Sequence, residues 1–260
     1  MLFKKVLSGI ILILLVGVLA ATAGCAVIIG SGNLETREFG NTDFTRVEIG
    51  YAFEAEIYQD NAFLVKITLD DNLYEYLDLS QNGDTLKITM KPGYVFSKAT
   101  QRAVVTLPYL ERLEISGASR ANVSDFVSLD SLDFEISGAS QIAVTGVSSP
   151  DIHVLVSGAS KADVDMTMTS GHFELSGAST LDIVGSARDI SVDASGASRA
   201  DLSDFPVINA WINLSGASNG TVNAAGELNA DLSGASTLHY IGNPALGDIS
   251  TSGASTISPK

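Results

Sequence analysis

The sequence predicts an all-β protein, a right-handed parallel β-helix with about eight rungs and a β-rich N-terminal opening or cap. Two observations predict this class. The tetrapeptide Ser-Gly-Ala-Ser (SGAS) occurs eight times between residues 116 and 255, at spacings of 18–21 residues. Beside each copy, apolar and polar residues alternate with the period of two that marks a strand with one buried face. One such unit cannot bury its apolar face alone, but stacked units bury a continuous interior.

The residues around each SGAS copy indicate which side chains face inward. The positions three and one before the corner are mostly apolar, as in Phe173 and Leu175, and the position between them is mostly polar, as in Glu174. The alternation resumes after the corner with Leu181 and Ile183. Each repeat is therefore predicted to be a strand, a corner, a second strand and a variable turn. Eight rungs give a rod roughly 35–40 Å long, since neighbouring strands lie about 4.8 Å apart.

The SGAS corner has a conformational reason. Glycine adopts a positive φ without a Cβ clash, which a sharp bend needs. The alanine is small enough to face a tight interior, and the serines can hydrogen-bond the turned backbone or one another from rung to rung. The corner glycines are therefore predicted to be structural. They are Gly117, Gly138, Gly158, Gly177, Gly196, Gly216, Gly234 and Gly253.

Residues 36–110 are also β-rich, but they are not repetitive. Alternation over residues 52–58 and 63–69 predicts strands, and residues 71–78 favour a helical turn. Asn82-Gly83 is a strong signal for a tight hairpin. No low-complexity linker separates this segment from the repeats. We therefore expect a single domain over residues 36–256, in which 36–110 opens and caps the rod and 111–256 forms the SGAS repeats.

Residues 1–25 predict export from the cytoplasm. A basic start is followed by an apolar stretch over residues 6–21 and by Thr22-Ala23-Gly24-Cys25. This order is typical of a secretory signal, and it resembles a bacterial lipobox, in which the cysteine thiol carries a diacylglycerol and the mature lipoprotein is acylated, for example with palmitate. Thr22 departs from that pattern, where leucine or valine is commoner. The alternative is an uncleaved membrane-spanning anchor. Both place the folded part outside the membrane of a bacterial cell envelope, with residues 26–35 as a tether.

The composition excludes several classes of function. The net charge of −15 repels phosphate backbones, so nucleic acid is not an expected partner. Cys25 is the single cysteine, which excludes an intrachain disulfide and a multi-cysteine metal site. No dinucleotide-binding or phosphate-loop motif occurs, and no cofactor is expected.

Several short motifs together resemble a known family. They are Gly30-Ser-Gly-Asn33, Phe44-x-x-Val47, Ile57-Tyr-Gln59, Leu86-Lys-Ile88, Thr106-Leu-Pro108 and the repeated SGAS. In combination, over residues 30–255, they resemble the head GIN domain of auto-transporter adhesins. The resemblance implies an extracytoplasmic β-solenoid and carries over no catalytic residues.

Three aspartates at equivalent positions of successive repeats form the candidate metal site, because carboxylate oxygens suit calcium. They are Asp163, Asp182 and Asp201. Lys161 and Arg199 stand two residues before the first and the last of them, which favours a solvated ladder of opposite charges. The sequence therefore assigns no metal ligand, and the calcium site stays an alternative.

Signals for catalysis are weak. Residues 216–220 match the G-x-S-x-G pattern of a nucleophile elbow, but they form one of eight similar corners. His153, His172 and His239 show no partner pattern. We therefore expect no enzyme but an adhesin-like binding module or an envelope structural module. It would be held at the membrane through Cys25 or an N-terminal helix and would meet a glycan or a surface protein. The alternatives are a carbohydrate-active β-helix lyase or hydrolase and a calcium-binding surface protein.

Overall fold

The computed structural model describes residues 26–260, and these form a β-solenoid, which confirms the predicted fold class. The export signal with Cys25 lies outside the described residues. Within residues 26–260, no helix is long and apolar enough to cross a bilayer.

Nine strands and one 3₁₀ helix, Asp71–Tyr76, make up the segment before the repeats. The strands are β1 (Ala26–Ile29), β2 (Leu34–Phe39), β3 (Arg46–Ile49), β4 (Glu54–Gln59), β5 (Leu64–Asp70), β6 (Leu77–Asn82), β7 (Thr85–Met90), β8 (Tyr94–Ser97) and β9 (Gln101–Leu107). The 3₁₀ helix confirms the helical turn predicted at this point.

Fourteen strands follow in the repeats, and two of them are long enough to run through the variable turn from one rung into the next. They are β10 (Arg112–Ile115), β11 (Arg120–Ser124), β12 (Leu132–Ile136), β13 (Gln141–Val156), β14 (Lys161–Leu175), β15 (Thr180–Ser186), β16 (Asp189–Ala194), β17 (Arg199–Val207), β18 (Asn209–Leu214), β19 (Asn219–Ala224), β20 (Glu227–Leu232), β21 (Thr237–Ile241), β22 (Ala245–Thr251) and β23 (Thr256–Pro259).

The repeats stack as two parallel ladders, one of strands before the corners and one of strands after them. In the first ladder, Phe134 pairs with Val154, Val154 with Phe173 and Phe173 with Val192, so equivalent repeat positions lie in line. These side chains are buried and fill the rod. Each contributes on the order of 1.5–3 kcal/mol by leaving water, which explains why the alternation specifies the fold so strongly.

The corner glycines adopt the left-handed conformation, with φ between 63° and 78° at all eight positions. They also stand very close to one another. A Cβ added to Gly177 would lie 2.5 Å from the carbonyl oxygen of Gly158. This closeness lets the Ala178 N–H donate to the Gly158 carbonyl at 2.8 Å. The same bond recurs between corners from Ala159 to Ala254.

The alanine of the corner does not face the interior, so that part of the prediction is wrong. Gly177 and Ala178 form the exposed tip of the turn, whereas Ser179 is buried. The reason is that the two central residues of the turn bulge out of the cross-section while the alanine N–H bonds to the rung below. The second serine then turns back into the rod. Seven such serines, from Ser119 to Ser236, are buried in this column.

The segment before the repeats adds two further layers to the rod. Strands β3 and β4 pair in parallel with β10 and β11, and residues 50–53 replace SGAS at their corner. Strands β7 and β9 then pair in parallel with β3 and β4. Antiparallel β6 and β5 complete this end, and β2 pairs with β5. The hairpin between β6 and β7 turns at Gly83, as predicted.

Within the segment expected to be a tether, residues 26–29 and 34–35 belong to paired strands, and residues 30–33 link them. Strand β1 pairs in parallel with β8 along its whole length, and β2 begins at Leu34. The buried carboxylate of Asp70 holds the link between them, because it accepts hydrogen bonds from the backbone N–H groups of Gly32 and Thr100, at 2.6 and 2.7 Å. The described chain therefore starts against the capped end of the rod.

Candidate binding surface

The outward side chains of the first ladder form one face of the rod. The residue four positions before each SGAS copy faces outward on its strand, and this column is polar with one exception. Its members are Arg112, Asp133, His153, His172, Ser191, Trp211, Asn229 and Asp248. The exception is Trp211, the single tryptophan of the chain.

Trp211 is exposed at the surface of the rod, with 47% of its area accessible. Its ladder neighbours, Ser191 and Asn229, have shorter side chains, so the indole projects further from the sheet than they do. A hollow of about 610 Å³ opens here. The hollow is also lined by Asp193 and Asp231, which lie two positions along the neighbouring strands.

The polar groups of the hollow are held in place by one another. The Asn213 amide donates to the Asp193 carboxylate at 3.0 Å, and the Asn229 amide donates to Glu227 at 2.9 Å. Carboxylate and amide oxygens accept further hydrogen bonds, and an indole offers a flat apolar face. The hollow can therefore hold a ligand that has one apolar face and a rim of hydroxyl groups.

The three aspartates of the candidate calcium site do lie on successive rungs, in register. Cations stand beside them. The Lys161 ammonium is 2.7 Å from Asp163 and 3.5 Å from Asp182, and the Arg199 guanidinium is 2.6 Å from Asp201. These contacts form the ladder of opposite charges that the sequence favoured.

Two pKa shifts reflect this ladder. The hydrogen bond to Asp163 raises the pKa of Lys161, although burial opposes it. Burial alone would raise the pKa of Asp201, but hydrogen bonds from Ser203 and the charge of Arg199 outweigh it and lower that pKa. Each shift favours the charged form, which is what a stable charge ladder requires.

The nucleophile-elbow pattern has no free nucleophile. Its serine, Ser218, is fully buried, and its hydroxyl donates to the Ser215 carbonyl at 2.8 Å. A hydroxyl in this position reaches no substrate. The motif is one more structural corner.

All three histidines have neighbouring groups that the sequence pattern did not show. His153 and His172 are paired residues on adjacent rungs, with ring centroids 5.0 Å apart, and Glu174 lies beside both. His239 lies in the second ladder, where its Nδ1 atom is 3.1 Å from the Ser258 hydroxyl.

Sequence reasoning missed Trp211 and the histidine pair for one reason. Both features lie in the column four positions before SGAS, whereas the strand pattern is visible in the columns three and one positions before it. At that position a tryptophan breaks an otherwise polar series, and two histidines occupy consecutive repeats. Aligning this column would have found both features.

The fold and this surface define a class, a repeat β-solenoid that presents extended outward columns with a shallow hollow. The sequence family agrees with it. The chain belongs to the family described as "Putative auto-transporter adhesin, head GIN domain", which matches residues 43–244.

Solved structures share the fold. A "putative adhesin" from Parabacteroides merdae is 16% identical, with a TM-score of 0.81 over 90% of this chain and 99% of that one. A "putative adhesin" from Parabacteroides distasonis is also 16% identical, with a TM-score of 0.80 over 90% and 100%. A "putative lipid binding protein" from the same species is 20% identical, with a TM-score of 0.73 over 90% and 99%. No curated protein sequence matches the chain.

Proposed function

We propose that this chain is a non-enzymatic, adhesin-like module on the outside of a bacterial membrane that binds glycans at the Trp211 hollow. The observation that carries the proposal is the exposed indole beside short neighbours in a polar column. Family membership supports the adhesin-like class.

The chemistry of the hollow suits a sugar ring. One face of a pyranose presents C–H groups, which pack against a flat indole, while its hydroxyl groups point to the rim. Asp193, Asn213 and Asp231 stand where rim hydroxyls would find acceptors. An open hollow on a rod also accepts one segment of a long polymer without needing its end.

Trp211→Ala provides the test. Full-length protein in detergent is bound to a glycan array, and the affinity of the best glycan is then measured. Loss of a central tryptophan is expected to cost about 2 kcal/mol, or roughly 30-fold in Kd. Tyr109→Ala is the matched control, because Tyr109 is an aromatic residue with 71% exposure outside the hollow. Equal binding by the wild type and Trp211→Ala would contradict the proposal.

The carbohydrate-active alternative predicts a different result from the same material. A lyase or hydrolase would release new reducing ends from the glycan that it binds, whereas a binding module leaves the polymer intact. Reducing-end release that depends on Asp193 or Asp231 would overturn the non-enzymatic assignment.

The anchor has its own test at Cys25. A lipoprotein incorporates labelled palmitate in cells and loses the label in Cys25→Ser. An uncleaved anchor predicts no label in either protein and no change in chain length. Labelling that persists in Cys25→Ser would exclude acylation at this thiol.

A further inference from the structure

We propose that His153, His172 and Glu174 form a zinc site on the first ladder of the rod. The three side chains come from two adjacent rungs, since His153 pairs with His172 and Glu174 lies two positions after His172. One donor atom from each can be chosen so that all three lie within 4.8 Å of one another. The site shares no residue with the proposed glycan hollow, which it adjoins, since Glu174 pairs with Asp193.

The distances fit a single small cation. A tetrahedral zinc ion holds nitrogen and oxygen ligands at about 2.0–2.2 Å, which places neighbouring donors roughly 3.3–3.5 Å apart. The Glu174 carboxylate oxygen lies 3.4 Å from His153 Nε2 and 2.9 Å from His172 Nε2. The second distance is a hydrogen bond that has to open by a few tenths of an ångström when the ion replaces the shared proton.

The state of His153 points to a ligand. Its Nε2 atom is buried and makes no hydrogen bond within the described residues, although the ring edge is partly exposed. The other ring nitrogen, Nδ1, lies 4.0 Å from the Asp133 carboxylate. Histidines that bind zinc commonly direct the second nitrogen at a carboxylate, which fixes the tautomer and orients the ring. His153 presents Nε2 to the other two donors, whereas its Nδ1 would have to approach Asp133 by about 1 Å to form such a hydrogen bond.

The donor set selects the class of metal. Two imidazoles and one carboxylate suit zinc and neighbouring transition metals, whereas calcium and magnesium prefer oxygen ligands alone. Three protein ligands leave a fourth position open for water or for a ligand from outside. The ion would join two adjacent rungs through their side chains, so its binding should also raise the melting temperature of the rod.

Isothermal titration of the metal-stripped full-length protein in detergent tests the site with zinc chloride. We expect one strong site per chain, with calcium failing to occupy it at the same concentration. His172→Ala and Glu174→Gln should each weaken zinc binding at least about tenfold, a loss in the range measured for changes around metal ligands. His239→Ala is the matched control, because it removes a histidine from the other ladder and should bind zinc as the wild type does.

The melting temperature gives a second readout that does not depend on the titration. Zinc should raise it in the wild type and in His239→Ala, and should leave it unchanged in His172→Ala. Circular dichroism without zinc shows whether each variant keeps its β-structure, and the half-exposed position of His172 makes this the expected result. Absence of a stoichiometric site in the wild type would overturn the proposal. Weak binding shared equally by all variants would also overturn it, because it would reflect the acidic surface alone.

Discussion

Gly177→Ala tests whether the glycine corner sets the contact between rungs. The added Cβ costs about 1–2 kcal/mol, because φ is +78° at this position. It would also lie 2.5 Å from the Gly158 carbonyl oxygen, well inside van der Waals contact. Relief of that contact must lengthen the 2.8 Å hydrogen bond from Ala178 to Gly158, and such a bond contributes about 1 kcal/mol. The expected loss in the free energy of unfolding is therefore about 2–3 kcal/mol.

A matched substitution isolates the contact from the backbone conformation. Gly83 has a φ of +60°, but an added Cβ there would meet nothing within 4 Å. Gly83→Ala should therefore cost about 1–2 kcal/mol, from the conformation alone. Both changes restrict the unfolded chain alike, so that contribution cancels in the comparison.

Thermal unfolding followed by circular dichroism measures both variants. For a chain of this size, 1 kcal/mol lowers the melting temperature by about 2–4 °C, so Gly177→Ala should lose about 4–12 °C. Gly83→Ala should lose less, about 2–8 °C. If Gly177→Ala is no less stable than Gly83→Ala, the close approach of the corners does not contribute to stability and the reasoning is refuted.

Two further predictions concern polar groups in and on the rod. Ser198→Ala should cost about 1 kcal/mol in a denaturant titration, because the buried Ser198 hydroxyl donates to the Ser195 carbonyl at 2.7 Å. Ser140→Ala should be near neutral, because the Ser140 hydroxyl has no hydrogen-bond partner in the described chain. Equal losses would refute this account of the buried serines. Burial, with the neighbouring carboxylates, raises the pKa of Glu114, so the folded state takes up a proton more readily than the unfolded state and stability rises as the pH falls through this range. Glu114→Gln should therefore raise the melting temperature at pH 7. The gain should shrink near about pH 4, where the wild-type carboxyl is protonated. A gain equal to that of the exposed control Glu56→Gln would contradict the effect.

The repeat architecture could be predicted because local and global signals agree. The SGAS spacing sets the length of a rung, and the alternation beside each copy sets which face is buried. Asn82-Gly83 predicted the hairpin between β6 and β7, because a glycine is needed where φ is positive. These signals act within a few residues, so one sequence is enough to interpret them.

Other features depend on contacts that a single sequence does not display. The corner at residues 50–53 holds Tyr51 and Ala52 at positive φ, 59° and 61°, which no side-chain preference predicts. The surrounding ladders impose it. The order of the layers also departs from the order of the chain. Strands β7 and β9 form the layer at the end of the rod, and β3 and β4 lie between that layer and β10 and β11, although β3 and β4 come earlier in the chain. Register between distant strands decides that arrangement.

The candidate surface was harder to predict than the fold for a physical reason. Inward positions must all be apolar, so their pattern is visible as a repeat. Outward positions are free to vary, and a functional group there is an exception to a column. Trp211 is such an exception, His172 repeats the histidine of the preceding rung, and the pairing of the strands shows that both lie on one face.

The number of stacked repeats sets how far the Trp211 hollow lies from the capped end of the rod. The described chain begins against the capped end, where β1 pairs with β8. Trp211 lies on the seventh strand beyond β7 in the same ladder, a distance of about 34 Å at 4.8 Å per step. Because each rung contacts only its neighbours, one inserted repeat would move the hollow outward by about 4.8 Å and leave its walls unchanged. The number of repeats thus sets the distance between the capped end and the hollow, independently of the residues that line the hollow.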